Sequence, residues 1–202
     1  MKRQAYPAYK DSGIEWLGKI PEHWDVKRIK RIFNILNGST PKTSDPTFWD
    51  GRILWATPDD LGRLKGDILY KTERMITKAG YASCGTTLAP AGSLILSTRA
   101  PIGHLAIAGK ALCTNQGCRS FVFRGTGDSH YYYYLLLASH QELGSWGQGS
   151  TFAELSRSKL ENIHIVTPPL SDQRAITVFL DREAAHVDAL IAGKERQINK
   201  KV

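Results

Sequence analysis

The sequence contains no apolar run approaching the roughly 18 residues that a membrane-spanning helix requires, which excludes a helical span. Its opening stretch, MKRQAYPAYKDSG, is basic but lacks an apolar core, so no secretory signal is expected there. Cysteine is scarce and odd in number: Cys84, Cys113 and Cys118. No disulfide framework is expected, and a reducing cytoplasm is the expected home. Cys113 and Cys118 have no paired second knuckle at metal-ligand spacing, so buried thiols are expected in place of a zinc site.

Catalytic signatures are missing as well. There is no G-x-S-x-G elbow, no phosphate loop and no glycine-rich fingerprint of an adenine methyltransferase. Pro58-Asp59 and Asp25-Val26-Lys27 resemble parts of a nuclease carboxylate–lysine set, but they stand in the wrong order. An enzyme acting alone, nuclease or methyltransferase, is therefore disfavoured. Acidic residues are also in deficit, 19 against 27 Lys+Arg, for a net charge of +8. That excess favours a polyanionic partner through phosphate neutralisation.

What is present fits one globular core with an appendage: 202 residues, 42% hydrophobic and 23% charged. Residues 1–20 are broken by Pro7, Gly13 and Gly18, which suggests an extended arm pinned by Trp16, Leu17 and Ile20. The pattern Val26, Ile29, Ile32, Phe33, Leu36 has helix or strand character, with basic residues between. Residues 37–46 read as a loop. Strands are expected at 52–56, 68–70, 93–97, 105–108 and 120–123, with Asp59 or Asp60 capping a short turn between the first two. A helix begins at His130, carries four adjacent tyrosines and closes near Leu143-Gly144. Many short strands separated by turn chemistry imply an α+β fold built on a twisted, mostly antiparallel sheet with flanking helices.

The loops hold side chains suited to nucleic acid. Asn and Gln pair with adenine, and Arg or Lys with guanine, in the major groove. Candidates for DNA contact are Ser39, Thr40, Lys42, Arg63, Lys65, Lys71, Arg74, Arg99, His104, Asn115, Gln116, Arg119, Ser150 and Thr151. Alternatively, Asn115 and Gly117 are turn formers and Arg99 is a structural ion pair.

After the apolar run Ile163, Ile165, Val166 and the stop at Pro168-Pro169, Ser171 or Asp172 offers an N-cap to a long helix. Leu180, Ala184, Val187, Ile191 and Ile198 recur in steps of four and three, with Lys194 interrupting, as in a heptad seam. Ile176, Phe179 and Leu190 widen the stripe toward the helix's start. Such a helix either folds back on its own domain or pairs with a partner; the pattern points to a coiled-coil-type interaction helix.

Taken in order, these segments resemble one half of a specificity subunit of a type I restriction-modification system. The pieces are E-H-W (22–24), N-G-S-T-P (37–41), I-L-W-A-T-P-D-D-L (53–61) and L-A-P-A-G-S-L-I-L-S-T-R-A-P-I-G (88–103). T-N-Q-G (114–117), G-S-T-F-A-E-L-S (149–156) and P-P-L-S-D-Q-R-A-I-T-V-F-L-D (168–181) complete the series. The resemblance implies a DNA target-recognition domain over residues 1–155 and a connecting strand with a spacer or dimerisation helix over 156–202. It also implies a non-catalytic role, reading a bipartite double-stranded DNA site for modification and restriction subunits. S-adenosylmethionine, ATP and Mg²⁺ are then expected on those partner subunits and none on this chain. The family's subunits carry two domain-plus-helix halves, whereas one is present in this sequence: it is either a natural half-subunit, for which a homodimer through Leu180, Ala184, Val187, Leu190, Ile191 and Ile198 is expected, or a fragment of a longer subunit. A free-standing DNA-binding regulator or decoy derived from a half-subunit is the alternative.

Overall fold

The computed structural model describes residues 6–139 and 154–199. The chain opens with a hairpin of β1 (Tyr9–Asp11) and β2 (Lys19–Pro21). Thus the expected extended arm is folded on itself, since Gly13 and Gly18 adopt positive φ and let the chain reverse. Ile20 is buried and pins it, whereas Trp16 is exposed. Next, β3 (Asp25–Arg28) leads through the single turn α1 (Ile29–Ile32) into β4 (Phe33–Asn37). The mixed helix-and-strand signal of this stretch therefore reflects both, in succession.

The strand β5 (Trp49–Ala56) starts earlier than its sequence pattern suggests, because a bulge between Trp49 and Ile53 interrupts the alternation. It ends at Thr57, which caps α2 (Pro58–Gly62). The cap is Thr57 and neither Asp59 nor Asp60. Asp60 instead closes the capping box from inside the helix, its carboxylate accepting from the Thr57 N–H at 2.9 Å and from its hydroxyl at 2.6 Å. There follow β6 (Ile68–Leu69), β7 (Arg74–Ile76), α3 (Lys78–Ala82), β8 (Leu94–Ser97) and β9 (Leu105–Ala108). Then come β10 (Leu112–Thr114), a strand that the turn-rich sequence around it conceals, and β11 (Cys118–Phe123).

Two sheets result. One has the order β4-β11-β8-β9-β6, the other β10-β5-β7. Pairing is mostly antiparallel, as the turns imply, but β10 runs parallel to β5 and β6 parallel to β9. Every residue of β8 and β9 is buried, so these central strands are apolar on both faces. Phe33, Leu94, Leu96, Phe121 and Tyr132 form the main core, and a second cluster around Ile95, Ala106 and Leu112 fills the other side of the sheet. Cys113 and Cys118 are buried free thiols, and burial pushes the Cys113 thiol up to about 11. No metal-holding group of His, Cys, Asp or Glu occurs among the described residues.

The helix α4 (Ser129–Ala138) begins at an Asp128 cap. Its tyrosines divide as their adjacency requires: Tyr131 and Tyr132 are buried, Tyr133 and Tyr134 only partly so. The expected closure near Leu143-Gly144 lies outside the described residues. After α5 (Arg157–Asn162), β12 (His164–Thr167) pairs antiparallel with β3, and Leu160 and Ile165 enter the main core.

The last element is α6 (Leu170–Asn199), a single helix of 30 residues and about 45 Å. It starts at Leu170, so Ser171 and Asp172 lie in its first turn and do not precede it. Gly193 does not interrupt it; Ala184, Ala185, Ala189 and Ala192 supply strong helix propensity nearby. Ile176 packs against the main core. Phe179 and Leu180 are partly buried, but Leu190 is exposed, so the stripe meets the body over a shorter length than its pattern suggests. No helix among the described residues is long and apolar enough to cross a membrane.

One carboxylate secures the root of this helix. Asp172 Oδ2 accepts the Trp24 indole N–H at 2.8 Å and the Tyr6 hydroxyl at 3.3 Å, and lies 3.2 Å from His23 Nε2. Burial pushes its pKa up, but the hydrogen bonds from Trp24, His23 and Tyr6 together outweigh that and hold it below the ordinary carboxylate value. A depressed folded-state pKa contributes stability at pH values above the unfolded value of about 3.9, and that contribution is lost as pH falls through the folded value. Asp172→Asn is therefore expected to flatten the acid limb of stability below about pH 4 and to lower stability near neutral pH by about 1 kcal/mol. Urea unfolding across that range reads both effects; an unaltered acid limb would remove the assignment.

Candidate nucleic-acid interface

The C-terminal ends of β4, β5, β8 and β10 and the N-terminal end of β11 lie together, and the loops leaving them are knitted by backbone hydrogen bonds. Ser39 N–H donates to Thr114 O at 2.9 Å, Asn115 N–H to Ala56 O at 2.9 Å, and Thr98 N–H to Gly117 O at 2.8 Å. The last described segment to join is 154–155, where Leu155 N–H donates to Thr98 O at 2.8 Å. Two glycines permit this closeness. A Cβ on Gly38 would collide with the Asn115 carbonyl, and one on Gly117 would lie 2.9 Å from Pro58 Cγ.

On that frame sit several of the side chains singled out in the sequence. The Thr40 hydroxyl donates to Gln116 Oε1 at 2.5 Å on the exposed surface. Asn115 Oδ1 accepts the Gly117 N–H at 2.9 Å, so this side chain shapes the turn that displays Gln116. Arg99 forms an ion pair with Glu154 at 3.2 Å and keeps 47% of its side chain exposed. A half-exposed pair of this kind contributes about 0–1 kcal/mol, so the guanidinium can leave Glu154 at little cost.

Arg119 is placed differently. Only 12% of its side chain is exposed, and it lies 3.5 Å from the same Glu154. Its Nη1 donates to the carbonyls of Gln116 at 2.9 Å and Cys118 at 3.1 Å. Burial pulls its pKa down from the ordinary guanidinium value, while Glu154 opposes the fall. Its position beneath the 115–117 turn makes it a support for that turn. Glu154, which joins Arg99 and Arg119, escaped sequence reasoning, because an acidic residue in a basic chain carries no nucleic-acid signal.

The remaining basic residues form two further groups. Arg74 stacks over the Trp49 ring, 3.4 Å from its centroid, and the Lys42 carbonyl accepts the Trp49 indole N–H at 3.3 Å. This group adjoins the first, because Trp49 meets Trp55 edge to face and the Trp55 indole N–H donates to Ser39 O at 3.0 Å. Arg63, Lys65 and Lys71 line a shallow hollow between α2 and β7 with Asp60 and Glu73. There Arg63 pairs with Glu73, while the His104 ring abuts Gly62 at the helix end. Ser150 and Thr151 lie outside the described residues.

Gly38 controls how the 38–40 loop meets the 115–117 turn. Gly38→Ala is expected to cost about 1–3 kcal/mol of stability by overpacking. The change should appear as a lower urea midpoint at unchanged slope. Gly125→Ala, where nothing lies within 4 Å of the added carbon, should be close to neutral and serves as the control.

The sequence pattern of the family described as "Type I restriction modification DNA specificity domain" matches residues 21–200. The chain is 38% identical over 183 residues to the specificity subunit of type I restriction enzyme MjaIX from Methanocaldococcus jannaschii, covering 90% of this chain and 41% of that subunit. It is 23% identical over 206 residues to the EcoR124I/EcoR124II specificity subunit of Escherichia coli, covering 98% of this chain and 49% of that one. The crystal structure of the HsdS subunit from Thermoanaerobacter tengcongensis shares the fold, with a TM-score of 0.69 at 24% identity over 90% of this chain and 41% of its own. A chain from a structure addressing complex assembly and conformational transition of the type I R-M system gives a TM-score of 0.71 at 25% identity, covering 90% of this chain and 42% of its own. This chain therefore spans between 41% and 49% of the length of the two curated relatives. With most of its length matched by the family pattern, the chain belongs to the family of type I restriction-modification DNA specificity domains.

Proposed function

We propose that this chain is a non-catalytic, sequence-reading specificity component that directs the methyltransferase and restriction subunits of a type I restriction-modification system to a split DNA site. The observation that carries the reading is the convergence of Thr40, Arg99 and Gln116 on a braced set of loops, in a chain whose family is named for DNA specificity. A rigid body that aims exposed amide and guanidinium groups is what base readout requires. Residues 1–155 form the reading domain in this proposal, and 156–202 the connecting strand and spacer helix. Lys42, Arg63, Lys65, Lys71 and Arg74 hold phosphates, where charge matters more than geometry. Any S-adenosylmethionine, ATP and Mg²⁺ belong to the partner subunits, and a reducing cytoplasm suits the three free thiols.

In this reading α6 pairs with the same helix of a second copy, which brings a second reading domain to the site. Val187, Leu190 and Ile191 are 52%, 56% and 52% exposed along the outer part of α6, a run of large apolar side chains that the single chain leaves uncovered. Burying the half of each that is still exposed is worth about 1 kcal/mol. An antiparallel pairing of two such helices is self-complementary, and its twofold axis demands an inverted-repeat site. A monomeric mass at micromolar concentration would remove this arrangement.

Two measurements test the reading. Capture with tagged full chain from source cells should recover an adenine methyltransferase subunit; DNA recovered without one would favour a free-standing regulator or decoy. In binding assays, Gln116→Ala should weaken the selected site by about 1–3 kcal/mol and leave random DNA unaffected. Lys71→Ala should weaken both alike and reduce the salt slope by about one. Equal losses on all sequences would reassign Gln116 to the fold.

A further inference from the structure

Helix α6 is held on two faces at its root and free along its outer part. Gln173, Thr177 and Asp181, four residues apart, form one polar stripe directed at α4. Gln173 Oε1 accepts the Asp128 N–H at 3.0 Å, and its amide donates to Pro168 O at 2.8 Å. The Thr177 hydroxyl donates to Asp128 Oδ1 at 2.9 Å, and Asp181 Oδ1 accepts the Tyr134 hydroxyl at 2.7 Å. About 100° round the helix, Asp172 gathers His23 and Trp24 from the turn between β2 and β3 and Tyr6 from the chain before β1. Apolar packing alone resists separation of two helices but tolerates sliding and tilting. Directional hydrogen bonds on two faces restrict the angle too. Beyond Asp181 the grip ends: from Arg182 to Gln197 every side chain position is exposed except Gly193.

We propose that this two-sided clamp is a specificity determinant. Asp172 and the Gln173–Thr177–Asp181 stripe are positioning residues that fix the angle at which α6 leaves the reading domain, and thereby the number of base pairs between the two half-sites. The proposal rests on the reading above, in which two domains joined through paired α6 helices address one split site. The free arm, 182–199, is about 27 Å long. Tilting it by about 10° at the root moves its tip by about 5 Å, more than the roughly 3.4 Å rise of one base pair. Slack of that size blurs the spacing without altering any loop that faces DNA.

The wild-type chain first selects its site from a random duplex library. The probes are then duplexes carrying the selected half-sites, with the spacer changed one base pair at a time. Wild-type binding should fall about tenfold for a one-base-pair change, in the range that DNA distortion imposes. For Asp172→Ala the fall should shrink to less than about threefold, while binding to an isolated half-site is unchanged. Asp172→Asn should restore the sharp profile, because its amide oxygen still accepts the Trp24 N–H. Tyr134→Phe, which keeps the ring and removes only the hydroxyl that reaches Asp181, should broaden the profile with the fold intact. Variants as sharp as wild type on a split site would overturn this inference alone. A wild-type chain that selects no split site would overturn the reading above and this inference with it.

Discussion

The structure depends on a buried side-chain amide at the point where a long helix leaves a globular body. Gln173 is 3% exposed, and both ends of its amide are satisfied by backbone groups, the Pro168 carbonyl and the Asp128 N–H. Pro168 follows β12, which pairs with β3, and Asp128 caps α4, which packs on the core. One residue thus ties two elements, β12 and α4, to the start of α6. Loss of a single partner would strand a buried polar group at a cost of about 1–3 kcal/mol, so the arrangement holds as a set.

The same logic, backbone groups satisfied across elements, organises the loops at the sheet end. The loop after β4, the turn before β11 and the segment at 154–155 have no regular structure of their own, yet each shares a backbone hydrogen bond with a neighbour. Bracing of this kind lets irregular chain hold a side chain in a defined place. Charge is distributed accordingly. Arg119, largely buried, supports the turn from below, whereas Arg99, on the same carboxylate, keeps a face toward solvent.

Much of this is legible in the sequence. The apolar strands 94–97 and 105–108 follow from uninterrupted hydrophobic runs between turn residues, and α6 from a stripe with helical period sustained well beyond one buried face. The errors have physical causes. Strand β10 was concealed because Leu112–Thr114 is short and lies beside turn-forming Asn115 and Gly117; parallel pairing with β5 makes it a strand. Asp59 and Asp60 suit the cap of α2 by residue type, but Thr57 holds the cap dihedrals and Asp60 reaches back to it. Arg119 and Arg99 are chemically identical in the sequence, and only burial separates them.

The sequence by itself determined the fold class, the family and the long exposed helix, because each rests on periodicity or on an ordered series of short motifs along the chain. Tertiary structure alone decided which polar residues meet. Glu154 joins Arg99 and Arg119 across 55 and 35 positions of chain. Asp172 reaches Trp24 across 148, and Thr40 finds Gln116 across 76. A hydrogen bond selects its partner by distance and direction in space, and nothing local to either residue encodes where the other will be.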